Sequence, residues 1–182
     1  MTPRDRLLEL LRTRSLRTGD FVLSSGKRST YYIDARLTTM HAEGIALIGE
    51  LGLAAVRAEG WSAGAIGGLT LGADPVAYAI AAASFRAPPA INAFTVRKAP
   101  KEHGTGKRIE GCFDKGMRVI VVEDTVTTGG SALDAITAVR AAGGEVAGVL
   151  AIVDRGEGGR EAIEREGLKT HALFDVRELL GR

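Results

Sequence analysis

Helix-like and strand-like patterns alternate along this chain. Apolar residues at helical spacing run over about residues 3 to 14, His41 to Ala58, Asp74 to Ser84, Ser131 to the Gly143-Gly144 pair, and Arg160 to Glu166. Between them stand apolar runs of strand length. Two short ones flank the turn Ser24-Ser25-Gly26-Lys27 within Phe21 to Asp34; the others are Ala63 to Ile66, Ala90 to Val96, Val119 to Val122, Val146 to Val153, and His171 to Phe174. A continuous run such as VIVV fits a strand buried on both faces. Strands separated by helices predict an α/β fold with a mainly parallel central sheet and helices on both faces. No repeat or linker interrupts the pattern, so residues 1–182 are expected to form one domain.

The most informative segment is Val119 to Ser131, VIVVEDTVTTGGS. Gly129 and Gly130 let the backbone turn and approach a ligand without Cβ obstruction, and Ser131 opens the next helical pattern. A loop so placed aims several N–H groups and a helix N-terminus at one point, which suits a phosphate. Glu123 and Asp124 would repel a phosphate and are better placed to accept from vicinal hydroxyls. Phosphate and diol together suggest a ribose 5-phosphate. No Lys follows the glycines, which excludes a Walker loop, and the spacing is not GxGxxG.

Composition narrows the field. With 45% hydrophobic content and a net charge of +2, the chain can bury a full core, yet it offers no broad field for nucleic acid. No apolar stretch has the length needed to cross a bilayer. Cys112, the only cysteine, excludes an intramolecular disulfide and fits a reducing cytoplasm. It reads as a small packing residue. His41 and His171 have no catalytic context and read as structural or exposed. Lys98 to Gly111, KAPKEHGTGKRIEG, breaks the alternation with four basic residues and three glycines. It is too polar to pack and too Gly-rich for a rigid helix, and reads as a mobile cationic lid.

The segment around Glu123-Asp124 resembles the signature of the type I phosphoribosyltransferases. Further motifs sharpen the likeness. Arg97-Lys98, Lys101 and His103-Gly104 follow the RKxxKxHG pattern of the orotate phosphoribosyltransferase family. Phe21-x-Leu-x-Ser-Gly with Tyr31 and Asp34, and Asp154-Arg155 after a later strand, are similar to further motifs of that family. The resemblance implies the type I phosphoribosyltransferase fold, with a small N-terminal hood over about residues 1–38 and a flexible catalytic loop over about residues 98–111. It implies transfer of a phosphoribosyl group from 5-phosphoribosyl 1-diphosphate to orotate, giving orotidine 5′-monophosphate and diphosphate in UMP biosynthesis. Mg²⁺ would be the cofactor, held mainly by substrate without direct side-chain ligation. The partners implied are the two substrates and a second copy, in a homodimer whose sites are shared; neither nucleic acid nor membrane is implied.

Carried over by position, Glu123, Asp124, Thr125, Val126, Thr127, Thr128, Gly129, Gly130 and Ser131 would hold the ribose 5-phosphate. Arg97, Lys98, Lys101 and His103 would contact the diphosphate, with Lys101 and Asp124 as the catalytic residues and His103 as general acid or hydrogen-bond donor. Thr127 and Arg155 would contact orotate, whose carboxylate a guanidinium can bind through two N–H groups. Two positions depart from the pattern: Ser24 and Leu71 stand where some members carry Lys. Lys27 either replaces the first or is a solvated turn residue, and Gly67 to Gly72 still suits a backbone loop for diphosphate. Two other readings stay open. One is a transferase for another base, such as a purine, against which Arg155 and Thr127 argue. The other is a regulator that senses phosphoribosyl diphosphate and binds RNA or DNA, which calls for a helix-turn-helix segment or basic face that this chain lacks.

Overall fold

The chain begins with a capping box, Thr2 accepting from the Asp5 N–H and Asp5 from the Thr2 N–H, with Pro3 at the first helical position. These features start α1 (Pro3–Leu10), which passes into a π-helical turn at Leu11–Ser15, so the helix expected to about residue 14 is shorter and distorted. The hairpin follows as β1 (Leu16–Val22) and β2 (Arg28–Ile33), β1 starting five residues before the expected Phe21. Then come α2 (Arg36–Thr39), α3 (Ala42–Ala58), β3 (Ala65–Leu69), α4 (Ala73–Arg86), β4 (Asn92–Val96), β5 (Ile109–Gly111) and β6 (Arg118–Val126). The chain closes with α5 (Gly130–Ala141), β7 (Glu145–Asp154), α6 (Gly159–Glu164), β8 (Thr170–Asp175) and α7 (Val176–Leu180). This computed structural model describes residues 1–22, 26, 28–99 and 107–182.

The six-stranded sheet has the order β5-β4-β3-β6-β7-β8, every neighbouring pair parallel except the antiparallel edge pair β4-β5. The expected fold class therefore holds. The VIVV strand sits centrally and is buried on both faces, as its composition requires. Ile120 and Val122 join one core with α3 and α4, while Val119 and Val121 join a second core with α5. From β3 the chain runs through α4 to β4 on one side; from β6 it runs through α5 to β7 on the other. The direction of winding thus reverses between β3 and β6, and a crevice opens beyond their C-terminal ends.

The β1-β2 hairpin forms a separate two-stranded sheet. Its base is anchored by Ile33 in the first core, and Tyr31 packs against that core. The two ends of the chain meet where Arg4 donates to Glu178 at 2.7 Å, its guanidinium lying 4.6 Å from the Phe174 ring centroid. No helix among the described residues is long and apolar enough to cross a membrane.

Candidate active site

The crevice holds a cleft of about 290 Å³. Its walls come from the ends of β2, β3, β6 and β7 and the loops that follow them, with Lys98 after β4. Of the residues singled out in the sequence, Lys98, Glu123, Asp124, Thr125, Thr127, Ser131 and Arg155 line this one space. Lys101, His103, Ser24 and Lys27 lie outside the described residues.

At one end, β6 runs into α5 through Gly129, whose φ of 84° is the left-handed region that favours glycine. Gly129 is also the helix N-cap and has no side-chain cap, so the first N–H groups of α5 carry no such partner. The Gly159 backbone closes against this turn: a Cβ at Gly159 would lie 2.5 Å from the Thr127 carbonyl oxygen and 2.8 Å from the Gly129 nitrogen. The loop is therefore held in shape by backbone packing and presents a preformed anion cradle. Thr128 and Gly130 are exposed there; Val126 turns its side chain into the second core and offers only its backbone.

The acidic pair forms the floor. Glu123 is only 6% exposed; burial, and then the neighbouring Asp124, push its carboxyl up to about 9. Asp124 is half-buried, and burial raises it too, against hydrogen bonding from Glu123 and the Thr125 backbone and attraction to Arg36. The loop after β3 presses on this carboxylate. A Cβ at Gly72 would sit 2.6 Å from Asp124 Oδ1, so only glycine lets Leu71-Gly72 and Asp124 approach so closely. Asp74, on the first turn of α4, holds that loop by accepting from Thr70 Oγ1 at 2.7 Å and from Thr95 Oγ1 at 2.8 Å. Leu71 is half-exposed and supplies no cation to the cleft wall.

At the other end stands Arg155, just past β7. Asp154 fixes its turn, accepting from the Gly156 N–H at 2.9 Å and from Arg160 Nε at 3.1 Å. The Arg155 N–H donates to the Val126 carbonyl at 3.0 Å, which joins the two strand ends that carry the site. Arg155 is 9% exposed and its guanidinium lies 5.1 Å from the centroid of the Tyr31 ring, so the hairpin reaches into the cleft. Arg36, which the sequence did not single out, also lines the cleft and is held by Asp34 through contacts of 2.8 and 3.0 Å.

Eight buried side-chain polar atoms among the described residues have no hydrogen-bond partner, and four of them belong to Glu123, Thr125 and Arg155. Buried polar groups are seldom left so; a concentration of them in one cleft marks a place built for a ligand. The Arg155 atoms are Nε and Nη2, the edge that offers two parallel N–H groups to a carboxylate.

Other expected residues fall elsewhere. Arg97 follows β4 with its guanidinium 3.9 Å from Glu110 on β5, and is not on the cleft wall. Cys112, expected to pack, is exposed; it stands just past the end of the edge strand β5, its N–H donating to the Ala93 carbonyl at 2.9 Å. His171 pairs with Glu59 at 2.8 Å, and His41 is the N-cap residue of α3. Asp74 and Arg36 were missed. The i, i+4 spacing of Thr70 and Asp74 across a predicted helix start was the one available hint for the first.

An open α/β sheet bearing this cleft at its winding reversal is the architecture of the type I phosphoribosyltransferases. No family model matches the chain. A curated relative from Aquifex aeolicus, named orotate phosphoribosyltransferase, is 50% identical over 183 residues, covering 99% of each chain. The orotate phosphoribosyltransferase of Mycobacterium tuberculosis, solved with Fe(III) dicitrate, superposes with a TM-score of 0.87 at 47% identity over 98% of this chain and 99% of that one. The same enzyme solved with 5-phospho-α-D-ribosyl 1-diphosphate gives 0.83 at 44% identity, with the same coverage. The chain belongs to the orotate phosphoribosyltransferase family.

Proposed function

We propose that this cleft transfers the phosphoribosyl group of 5-phosphoribosyl 1-diphosphate to orotate, releasing diphosphate and orotidine 5′-monophosphate in the cytoplasmic synthesis of UMP. The observation that carries the reading is the pairing, in one cleft, of an uncapped helix N-terminus with a buried guanidinium whose carboxylate-binding edge, Nε and Nη2, makes no hydrogen bond among the described residues. The backbone from Thr125 to Ser131 binds the 5-phosphate. Asp124 accepts from the ribose hydroxyls and offsets positive charge that grows on the sugar as the anomeric bond breaks. Glu123, buried behind it, holds Asp124 in place. Arg155 and Thr127 orient orotate, and a purine, which lacks the carboxylate, would leave the Arg155 edge unpaired.

Lys98 on the cleft wall, with Lys101, His103 and Arg97, neutralises the departing diphosphate; for Lys101 and His103 this rests on the sequence pattern. Among the described residues no group of three or more His, Cys, Asp or Glu could hold a metal, and the Gly67–Gly72 loop carries no carboxylate of its own; Asp74 just beyond it is already occupied by Thr70 and Thr95. Such a donor set fits Mg²⁺ brought by the diphosphate itself. Bound there, it would shield charge on the leaving oxygens. Following orotate absorbance with phosphoribosyl diphosphate and Mg²⁺ tests the reading: consumption of orotate supports it, and turnover with adenine but not orotate would overturn it.

The acting unit is a homodimer in which Lys101, from the loop of about residues 98–111 of one chain, serves its partner's cleft. Support comes from Arg97 lying off the wall of its own cleft and from exposed apolar side chains of Leu71, Tyr78 and Phe85 along and beside α4. A Lys101→Ala chain and an Asp124→Asn chain, each inactive alone, should recover roughly a quarter of parental activity when co-refolded, because random pairing makes about half the dimers mixed with one intact site each. A verified mixed dimer without activity would refute sharing.

A further inference from the structure

Arg155 keeps company with an acid that the proposed reaction does not use. Glu157 Oε1 lies 2.7 Å from Arg155 Nη2, yet neither Nη2 nor Nε makes a hydrogen bond within the described residues. The carboxylate therefore sits off the N–H directions. It neutralises a buried cation, which would otherwise be costly to leave alone, without filling the two-pronged edge. Around this pair the scaffold is fixed: the Tyr31 ring flanks the guanidinium, and Asp154 holds the turn through Gly156 and Arg160. The Glu157 side chain is 23% exposed against 8% for Arg155, so the acid has a route to solvent and the guanidinium does not.

We propose that Glu157 is a placeholder carboxylate, neutralising Arg155 while the base subsite is empty and yielding the guanidinium to the carboxylate of the incoming base. The inference rests on the reading of Arg155 as the orotate-binding residue. Two consequences follow from charge alone. Glu157 weakens the hold on every ligand that carries this carboxylate, and orotidine 5′-monophosphate keeps it, so Glu157 speeds product departure as well as opposing substrate entry. A base without the carboxylate leaves the Arg155–Glu157 contact intact and gains nothing from it.

Calorimetric titration of Glu157→Gln with orotidine 5′-monophosphate and with uridine 5′-monophosphate, which differ only in the carboxylate, separates these effects. The substitution keeps shape and removes charge. The Kd for orotidine 5′-monophosphate should fall about three- to fivefold, the upper part of the range for an exposed ion pair, while that for uridine 5′-monophosphate stays within about twofold. In turnover, orotate KM and kcat should fall together as product leaves more slowly. Unchanged or weaker binding of orotidine 5′-monophosphate, or equal tightening of both nucleotides, overturns the placeholder role; Glu157→Ala provides a second variant with the same expected direction. Arg155→Ala is the control. If it fails to weaken orotidine 5′-monophosphate selectively, the underlying assignment of Arg155 has failed, whatever Glu157 does.

Discussion

The two ends of the cleft, proposed to hold the 5-phosphate and the base, are built by different means. The phosphate end is backbone: a left-handed Gly129, an uncapped helix N-terminus and a turn wedged against Gly159. All of it except the Gly159 contact comes from one contiguous stretch. The base end is made of side chains: Arg155 and Glu157 from the turn after β7 and Tyr31 from the hairpin. A backbone cradle is fixed once the loop folds and tolerates side-chain change, whereas a guanidinium held by an aromatic face and a neighbouring acid can be retuned by one substitution. On the proposed reading, affinity for the common sugar phosphate and choice of base thus reside in parts that can vary separately.

Between the two ends lies Asp124, where the largest effect is expected. Asp124→Asn keeps the size of the side chain but replaces an acceptor pair with an amide. Turnover should fall on the order of 100-fold with the melting temperature at or above that of the parent; undiminished kcat would remove the sugar-clamp role. Gly72→Ala strikes the same carboxylate from the loop after β3. Its Cβ would meet the end of the Asp124 side chain rather than backbone, so the side chain yields and the fold survives. A roughly tenfold loss of kcat with less than about 1 kcal/mol of destabilisation is expected; a full-activity variant would show that Asp124 has room the geometry denies.

The smallest effect is one of stability. Glu123 is pushed from an ordinary value of 4.5 up to about 9, so the folded chain retains a proton that the unfolded chain releases. The resulting stabilisation is complete below about pH 4.5 and is lost as pH rises toward 9. Glu123→Gln mimics the neutral carboxyl and should gain on the parent across that window, by on the order of 1–3 kcal/mol at pH 8, and match it at pH 4. Denaturant unfolding at the two pH values measures this, and equal stability at both would place a charged Glu123 in the folded state.

The difference between the two ends also explains what could be read from the chain. Val119 to Ser131 is legible because strand, acids, turn and helix start lie in one stretch and each has a local signal. Arg155 was found through its place after a strand and its likeness to a family motif, but Glu157 was not, since nothing in the sequence marks which acid will lie beside a given arginine. Asp74 looked like an ordinary helix residue; its role comes from Thr70 and Thr95, the latter on another strand. The three-residue β5 and the short α2 and α7 carry too few residues to show a period. β5 exists because the edge of β4 offers it hydrogen bonds.

The separateness of the two ends is tested most directly by calorimetric titration of Arg155→Ala with ribose 5-phosphate and with orotidine 5′-monophosphate. A desolvated charge-assisted pair contributes about 1.5–3 kcal/mol, so affinity for orotidine 5′-monophosphate should drop roughly 10- to 150-fold, while affinity for ribose 5-phosphate stays within about twofold. Parallel losses for both ligands would contradict a cleft divided into a backbone cradle for the phosphate and a side-chain clamp for the base.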